Sequence, residues 1–304
     1  MKTPNKMDKN HILTLSCPDR PGIIHAVTAL LARHQLNIVD MRQFSDPTSH
    51  RFFMRLLIGP ATDTAHLAEP LRKLADEFGM DPVRLRPATH RIRTLVMVSH
   101  IGHCLNDLVF RAASSDTQLP IEIVAVCSNH TEHEALARSN GVPFHHLPIT
   151  IDEEENATDP ASAREKAKAQ QEERVLSLVK TLDAELVVLA RYMQVLSPKL
   201  CAALSGRIIN IHHSFLPSFK GARPYHQAYE RGVKIIGATA HFVTASLDEG
   251  PIIEQRVARV DHASTPRELA DRGSDIECHV LAAAVRWYAE GRVFLNGTKT
   301  VVFD

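Results

Sequence analysis

The stretch that decides the fold of this chain is residues 207–253, RIINIHHSFLPSFKGARPYHQAYERGVKIIGATAHFVTASLDEGPII. Its first six residues read as a strand, in which residues two apart point to the same face. Asn210 and His212 therefore project together, whereas the isoleucines between and beside them face the other way. Ligands bind at the carboxyl ends of strands in open α/β sheets, so this polar pair favours a site. The alternative is that Asn210 satisfies backbone groups and His212 is an ordinary core histidine.

The far end of the same stretch supplies an acid. Leu247–Pro251 (LDEGP) reads as a turn that presents Asp248 just before another strand. A side-chain amide can donate to an oxyanion, an imidazole can polarise a carbonyl or move a proton, and a carboxylate can orient water or hold the imidazole as a cation. Asn210, His212 and Asp248 thus suit acyl or one-carbon group transfer. The sequence does not fix whether Asp248 folds back onto the other two residues.

Composition places the chain among ordinary globular proteins. Its 304 residues suffice for two domains or one large one, and 44% are hydrophobic and 23% charged. Lys+Arg and Asp+Glu both number 35, so no basic field predicts a nucleic-acid partner. No apolar run approaches the ~20 residues that cross a membrane, and the start lacks a signal-peptide core. Five scattered cysteines predict reduced thiols and a cytoplasmic location.

The first part of the chain, residues 10–88, predicts a ferredoxin-like βαββαβ domain. The elements that follow from its apolar spacing are strands at His11–Cys17, Leu36–Met41, Arg51–Gly59 and Pro82–Arg86, and helices from Ile23 and at Ala65–Phe78. The next few residues, 87–90, read as a linker.

The second part, residues 93–304, alternates strands with helices, which predicts a doubly wound, mostly parallel, Rossmann-like α/β sheet. A hairpin signal, Asn296-Gly297, lies near its end. The turn after the first strand, Val98–Asp107, has one glycine, two histidines and a bulky isoleucine. Such a turn is a poor phosphate cradle, because phosphate loops at this position are glycine-rich.

Neither a metal site nor a serine triad is predicted. His145-His146 and His212-His213 are adjacent pairs, and neighbours on a strand point to opposite faces instead of converging on one ion. Ser214 lacks the G-x-S-x-G elbow of a serine nucleophile.

Residues 16–40, SCPDRPGIIHAVTALLARHQLNIVD, resemble an ACT domain, a small regulatory module of metabolic enzymes. The resemblance implies an amino-acid effector near Asp19, Gly22 and Asn37, across a dimer interface, and hence a homo-oligomer. The alternative is that Asp19 only caps the helix and Gly22 only fits a tight turn.

The second part resembles the folate-dependent formyltransferases. The resemblance rests on NIH at 210–212, LPSFKG at 216–221, HFV at 241–243 and DEGPII at 248–253, in this order and spacing. It implies that Asn210, His212 and Asp248 are catalytic and that His241 supports them. It also implies pterin-binding walls formed by Met193, Gln194, Val195 and Leu196, and by Val243, Thr244 and Ala245.

The resemblance further implies 10-formyltetrahydrofolate as the substrate, with no tightly bound cofactor. An ACT domain in front points to the hydrolytic members of the family, and the poor phosphate loop makes water the acceptor. The expected products are formate, for purine synthesis and the balance of the one-carbon pool, and tetrahydrofolate. The alternatives are a formyltransferase acting on glycinamide ribonucleotide or an aminoacyl-tRNA, and a non-catalytic amino-acid sensor.

Overall fold

A computed structural model describes residues 9–60, 64–114, 119–151, 159–217 and 224–304. The chain divides into two compact units, one formed by Met1–Arg91 with Trp287–Asp304 and the other by Ile92–Arg286. Among the described residues, no helix combines the length and the apolar character needed to cross a membrane.

The first unit is an antiparallel sheet with two helices. Its elements are β1 (His11–Pro18), α1 (Ile23–Arg33), β2 (Asn37–Asp46), β3 (Arg51–Gly59), α2 (Ala68–Phe78) and β4 (Arg84–Pro87). The sheet order is β2-β3-β1-β4. Ile23, Val27 and Leu31 recur at helical spacing and form one core with the buried side chains of β1 and β3. The predicted βαββαβ fold is confirmed.

The strand β2 is longer than the sequence predicts. The predicted strand ends at Met41, because the side chains that follow do not alternate between polar and apolar. In the structure β2 pairs with β3 as far as Asp46 opposite Arg51, and it lies at the edge of the sheet. An edge strand needs no buried face along its whole length, so its pattern is a weak signal.

The C-terminal residues form a hairpin that groups with the first unit. The strands β12 (Val293–Asn296) and β13 (Lys299–Val302) flank Gly297, whose φ of 63° a hairpin turn requires. The Asn296 amide donates to Asp46 Oδ2 over 2.6 Å. The rings of Phe294 and Phe53 pack edge to face, with centroids 5.8 Å apart. The sequence places these residues in the predicted second domain, and the domain boundaries at 88 and 93 stay a prediction.

The second unit is a seven-stranded sheet with the order β11-β10-β9-β8-β5-β6-β7. Its strands are β5 (Ile92–Val98), β6 (Ile121–Ser128), β7 (Phe144–His146), β8 (Leu186–Leu189), β9 (Ile208–His212), β10 (Ile235–Phe242) and β11 (Ile252–Arg259). Its helices are α3 (His103–Ala113), α4 (Glu134–Ser139), α5 (Pro160–Thr181), α6 (Pro198–Ala203), α7 (Pro224–Glu230) and α8 (Pro266–Ala289). The first five strands along the chain are parallel, whereas β10 pairs antiparallel with both β9 and β11, so that β11 again runs in the direction of the first five. The predicted mostly parallel α/β sheet is confirmed.

The strand order places a topological switch between β5 and β8. From β5 the chain proceeds to β6 and β7 on one side and returns to β8 and β9 on the other. Ligands of open α/β sheets bind at the carboxyl ends of the strands beside such a switch.

Residues 218–221 of the LPSFKG motif lie outside the described residues. Residues 152–158, part of an acidic segment of the sequence, also lie outside them.

Candidate active site

Asn210 and His241 form a cross-strand pair. They lie directly opposite each other on the antiparallel strands β9 and β10, and Asn210 Nδ2 is 3.2 Å from His241 Nε2. The other ring nitrogen, Nδ1, lies 2.8 Å from the carbonyl oxygen of Phe242 and must donate to it. His241 Nε2 is therefore the acceptor for Asn210, which leaves the second amide proton of Asn210 for another partner. Burial lowers the pKa of His241, which favours this neutral form.

Asp248 folds back onto the histidines. It lies in the loop after β10 with a φ of 56°, a left-handed conformation that aspartate tolerates better than most residues. A Cβ atom at Gly250 would overlap the carbonyl of Phe242, so only glycine lets the loop return this closely to β10. The D-x-G spacing thus has a steric reason, and the loop ends with Asp248 beside His212.

The carboxylate of Asp248 holds the imidazole of His212. Asp248 Oδ1 lies 3.3 Å from His212 Nδ1 and 3.8 Å from His241 Nε2. Burial would raise the pKa of Asp248, but the hydrogen bond from His212 and the neighbouring imidazoles lower it. Asp248 is therefore ionised at neutral pH. The opposite nitrogen, His212 Nε2, is buried and has no hydrogen-bond partner among the described residues.

These side chains line one pocket of about 190 Å³. All of the predicted residues border it, namely Asn210, His212, Asp248, His241, Met193, Gln194, Val195, Leu196, Val243, Thr244 and Ala245. Met193 and Val195 are about half exposed, so the rim offers apolar surface to a flat ring. The structure thus brings the predicted set together, and the role of each residue stays a prediction.

Hydrogen bonds from beneath fix one wall of the pocket. The hydroxyl of Ser99, just after β5, donates to Asn129 and accepts from the backbone N–H of Met193 at 3.0 Å. Buried Glu172 accepts from both the backbone and the hydroxyl of Ser197, the N-cap of α6. Such a second layer of contacts holds a binding wall in a single geometry.

Arg191, His213 and Glu277 are not among the predicted site residues. Arg191 and His213 line the pocket. Arg191 directly follows an apolar run, and His213 directly follows the predicted site residue His212. Glu277 is 1% exposed on α8 and belongs to a stripe spaced by four, whose other members are Leu269, Gly273, Leu281 and Val285. An acid on an apolar helical stripe is the signal that could have found it.

The three predicted effector residues do not meet within one chain. Asp19 and Gly22 follow Pro18, which lies opposite Arg51, whereas Asn37 lies opposite Gly59. The two ends of β3 are about 26 Å apart at ~3.3 Å per residue. Gly22 adopts a φ of 97°, and no side-chain hydrogen bond caps α1 among the described residues. The glycine is required for its conformation, and helix capping does not account for Asp19.

Two groups of residues bring three possible metal-ligating atoms within 4.8 Å of one another, counting only the described part of the chain. One is His103, Cys104 and Cys278, and the other is His100, His130 and Glu132. Neither group includes Asn210 or His212. His103 Nε2 already lies 2.9 Å from a carboxylate oxygen of Glu277.

Two known families match this chain in the places that the fold suggests. The ACT domain matches residues 11–76 and the formyl transferase family matches residues 92–285. A formyltetrahydrofolate deformylase from Corynebacterium sp. (strain P-1) is 50% identical over 297 residues, which cover 96% of this chain and 97% of the relative.

This chain belongs to the formyltetrahydrofolate deformylase family.

Solved structures agree with this membership. The crystal structure of a formyltetrahydrofolate deformylase from Burkholderia mallei is 48% identical, with a TM-score of 0.88 over 97% of this chain and 100% of that chain. A glycinamide ribonucleotide transformylase from Symbiobacterium toebii is 31% identical, with a TM-score of 0.61 over 74% of this chain and 99% of that one. The resemblance to formyltransferases is therefore confirmed, with the deformylase family as the closer match of these two.

Proposed function

We propose that this chain hydrolyses 10-formyltetrahydrofolate to formate and tetrahydrofolate. The observation that carries the proposal is the contact between Asp248 and His212, 3.3 Å apart, with the opposite imidazole nitrogen buried and unpartnered among the described residues of the pocket. An imidazole oriented by a carboxylate on one side and open to substrate on the other is the arrangement that acid–base catalysis uses. Membership of the deformylase family supports the choice of substrate.

The proposed reaction begins with the formyl carbonyl between Asn210 and His212. The free amide proton of Asn210 and a proton on His212 Nε2 stabilise the oxyanion that forms when water attacks the formyl carbon. Asp248 orients this water and accepts its proton. The tetrahedral intermediate then collapses, and the bond from carbon to N10 breaks as His212 protonates the departing nitrogen. The released formic acid gives its proton back to His212, and Asp248 gives its proton to solvent. Formate and tetrahydrofolate are the products, and the folate is consumed as a substrate.

The loop after β5 favours water over a phosphate-bearing acceptor. A Cβ atom at Gly102 would overlap the imidazole of His133, whose Nε2 donates to the carbonyl of His100 at 3.0 Å. The side chain of His100 pairs with the Glu132 carboxylate at 2.7 Å. A side chain therefore occupies the space where a phosphate cradle would lie, and a carboxylate stands beside it. Both features disfavour glycinamide ribonucleotide as the acceptor.

The deciding experiment measures loss of 10-formyltetrahydrofolate and production of formate in buffer without any amine. We expect formate in proportion to the folate consumed, and no formate from Asp248→Ala. A chain that consumes the folate only when glycinamide ribonucleotide or an aminoacyl-tRNA is added is a formyltransferase. A chain that consumes none under any of these conditions, yet binds amino acids, is a sensor.

The proposal includes regulation by an amino acid bound to the ACT domain of a homo-oligomer. Because Asp19 and Gly22 lie far from Asn37 within one chain, the effector site needs Asn37 from a second copy. The edge strand β2 supports such pairing, since Val39, Met41 and Phe44 are each at least 40% exposed on it.

Glycine and methionine are the first effectors to test, by calorimetric titration and by their effect on turnover. We expect Val39→Lys to lower the oligomeric state in light scattering and to abolish effector binding, while Asn37→Ala abolishes binding alone. Binding by a monomeric Val39→Lys chain would contradict the shared site.

The five cysteines, all free thiols, support a cytoplasmic location, and formate released there would serve purine synthesis and the one-carbon pool.

A further inference from the structure

A buried ion pair stands behind the pocket. The Arg191 Nε lies 3.5 Å from Glu277 Oε2, and the two side chains are 9% and 1% exposed. The same carboxylate accepts from His103 Nε2 at 2.9 Å and from the Tyr225 hydroxyl at 2.7 Å. A Cβ atom at Gly273 would overlap the Tyr225 ring, so this glycine makes room for the hydroxyl to reach Glu277. The carboxylate is thus engaged from three directions.

Glu277 remains a carboxylate because of these partners. Burial by itself raises the pKa of Glu277, but the hydrogen bond from His103, the charge of Arg191 and the Tyr225 hydroxyl together lower it. Burial also raises the pKa of Tyr225, which therefore donates as a neutral phenol. An ionised carboxylate at this depth is tolerated only because it is paired and hydrogen-bonded.

Arg191 is held in a conformation that disfavours any side chain. Its φ is 64°, a left-handed geometry that glycine adopts without strain and that costs other residues about 1–3 kcal/mol. It follows β8 by two residues and lines the pocket beside His212 and His213. Strained residues of this kind persist where the surrounding structure fixes them, often at functional sites. The chain therefore keeps a guanidinium where glycine would fit better.

Arg191 borders the pocket and contacts Glu277. An acceptor amine is an ammonium ion at neutral pH, and a carboxylate is the group that binds such a cation. In the proposed hydrolysis, Asp248 contacts His212 and takes the proton of the attacking water. A further carboxylate, that of Glu277, is paired with the guanidinium of Arg191.

We infer that Arg191 determines the acceptor: its guanidinium fills the place of an acceptor amine at Glu277, so that water is left to attack the formyl group. The inference rests on the proposed function and adds to it a residue that excludes competing nucleophiles. In chemical terms, Glu277 and its surroundings are an ammonium subsite that the chain occupies with its own cation. Removing the guanidinium should open that subsite to a small primary amine.

The test uses Arg191→Gly, which relieves the backbone strain while it empties the subsite. Wild-type and variant chains receive 10-formyltetrahydrofolate in buffer with glycinamide as the amine, and the ratio of N-formylglycinamide to formate is measured by mass spectrometry. We expect the ratio to rise at least tenfold in the variant. This ratio is independent of overall activity, and a reaction without enzyme corrects for spontaneous transfer.

Two controls distinguish a cation subsite from a simple cavity. Arg191→Lys keeps a cation beside Glu277 and should leave the ratio near that of the wild type. The double variant Arg191→Gly/Glu277→Gln has the same cavity without the carboxylate, and it should lose the acquired transfer. If Arg191→Gly has too little turnover for the product ratio to be measured, the rise in melting temperature on adding glycinamide is measured instead. Glycinamide should raise the melting temperature of this variant more than that of the wild type or the double variant.

An unchanged ratio in folded Arg191→Gly, or equal stabilisation of all chains by glycinamide, would overturn the inference. So would a double variant that transfers formyl groups as well as the single variant. A wild-type chain that releases no formate in buffer alone refutes the proposed hydrolysis itself, so the two failures are distinguishable.

Discussion

Acid should destabilise this chain through His213. Its imidazole is 8% exposed, and burial, with contributions from Arg191 and His212, lowers the pKa of His213 to about 3. In an unfolded chain histidine titrates near pH 6.5. Between about pH 6.5 and pH 3, the unfolded chain therefore binds a proton at this position that the folded chain does not. The free energy of unfolding must fall as the pH falls through this window.

The size of the effect follows from the same values. One pKa unit corresponds to about 1.36 kcal/mol, and pH 5 lies about 1.5 units below the unfolded value. Acidification from pH 7 to pH 5 should thus remove about 2 kcal/mol of stability through His213 alone. Carboxyl groups with lowered pKa values, such as Asp248 and Glu277, contribute only about 0.1 kcal/mol each at pH 5, because the unfolded chain protonates them mainly below this pH.

Equilibrium urea unfolding at pH 7 and pH 5, followed by circular dichroism, measures this loss in the wild type and in His213→Phe. The phenyl ring preserves the edge contacts with His212 and Tyr225, whose ring centroids lie 5.1 and 6.3 Å away, and it does not titrate. All other groups are common to both chains and cancel. We expect the wild type to lose about 2 kcal/mol more than the variant. His213→Asn serves as a second variant, and equal losses in wild type and variants would refute the reasoning.

Three further changes test the site itself. Asn210→Ala should lower kcat about 10²–10³-fold in a chain that still folds, because one oxyanion donor is lost; near-wild-type turnover would argue against that role. Glu172→Ala strands the N-cap serine of α6 and should cost about 1–3 kcal/mol in urea unfolding, whereas exposed Glu173→Ala should cost less than about 0.5; equal costs would contradict this. Gly250→Ala should displace the loop and reduce turnover as severely as Asp248→Ala, and a mild effect in the assay would show that the loop adapts.

The sequence predicted most elements of both sheets because their signals are local. Arg51–Gly59 and Ile121–Ser128 are mostly apolar runs, and the structure has strands with these bounds. The strand β10, although it carries His241, was not predicted, because Ile235–Phe242 contains small residues and a glycine that weaken strand propensity. β10 lies between β9 and β11 and is buried on both faces, and this packing compensates for its weak strand propensity.

Asn210 and His212 could be paired from the sequence because strand geometry alone places residues two apart on one face. Three further facts depended on tertiary structure. The return of Asp248 requires the close approach that Gly250 permits, and the His241 contact depends on the register of two strands. The ion pair of Arg191 and Glu277 joins residues 86 positions apart in sequence.

Most of the strands and helices, the family and the chemical groups at the pocket could be read from the sequence, since periodicity and motif spacing are properties of neighbouring residues. Which groups neutralise one another became clear only in the folded chain. Ionisation and hydrogen-bond direction depend on burial and on partners remote in sequence. For this reason the sequence predicts a carbonyl chemistry, whereas the packing around Arg191 and Glu277 bears on which nucleophile takes the formyl group.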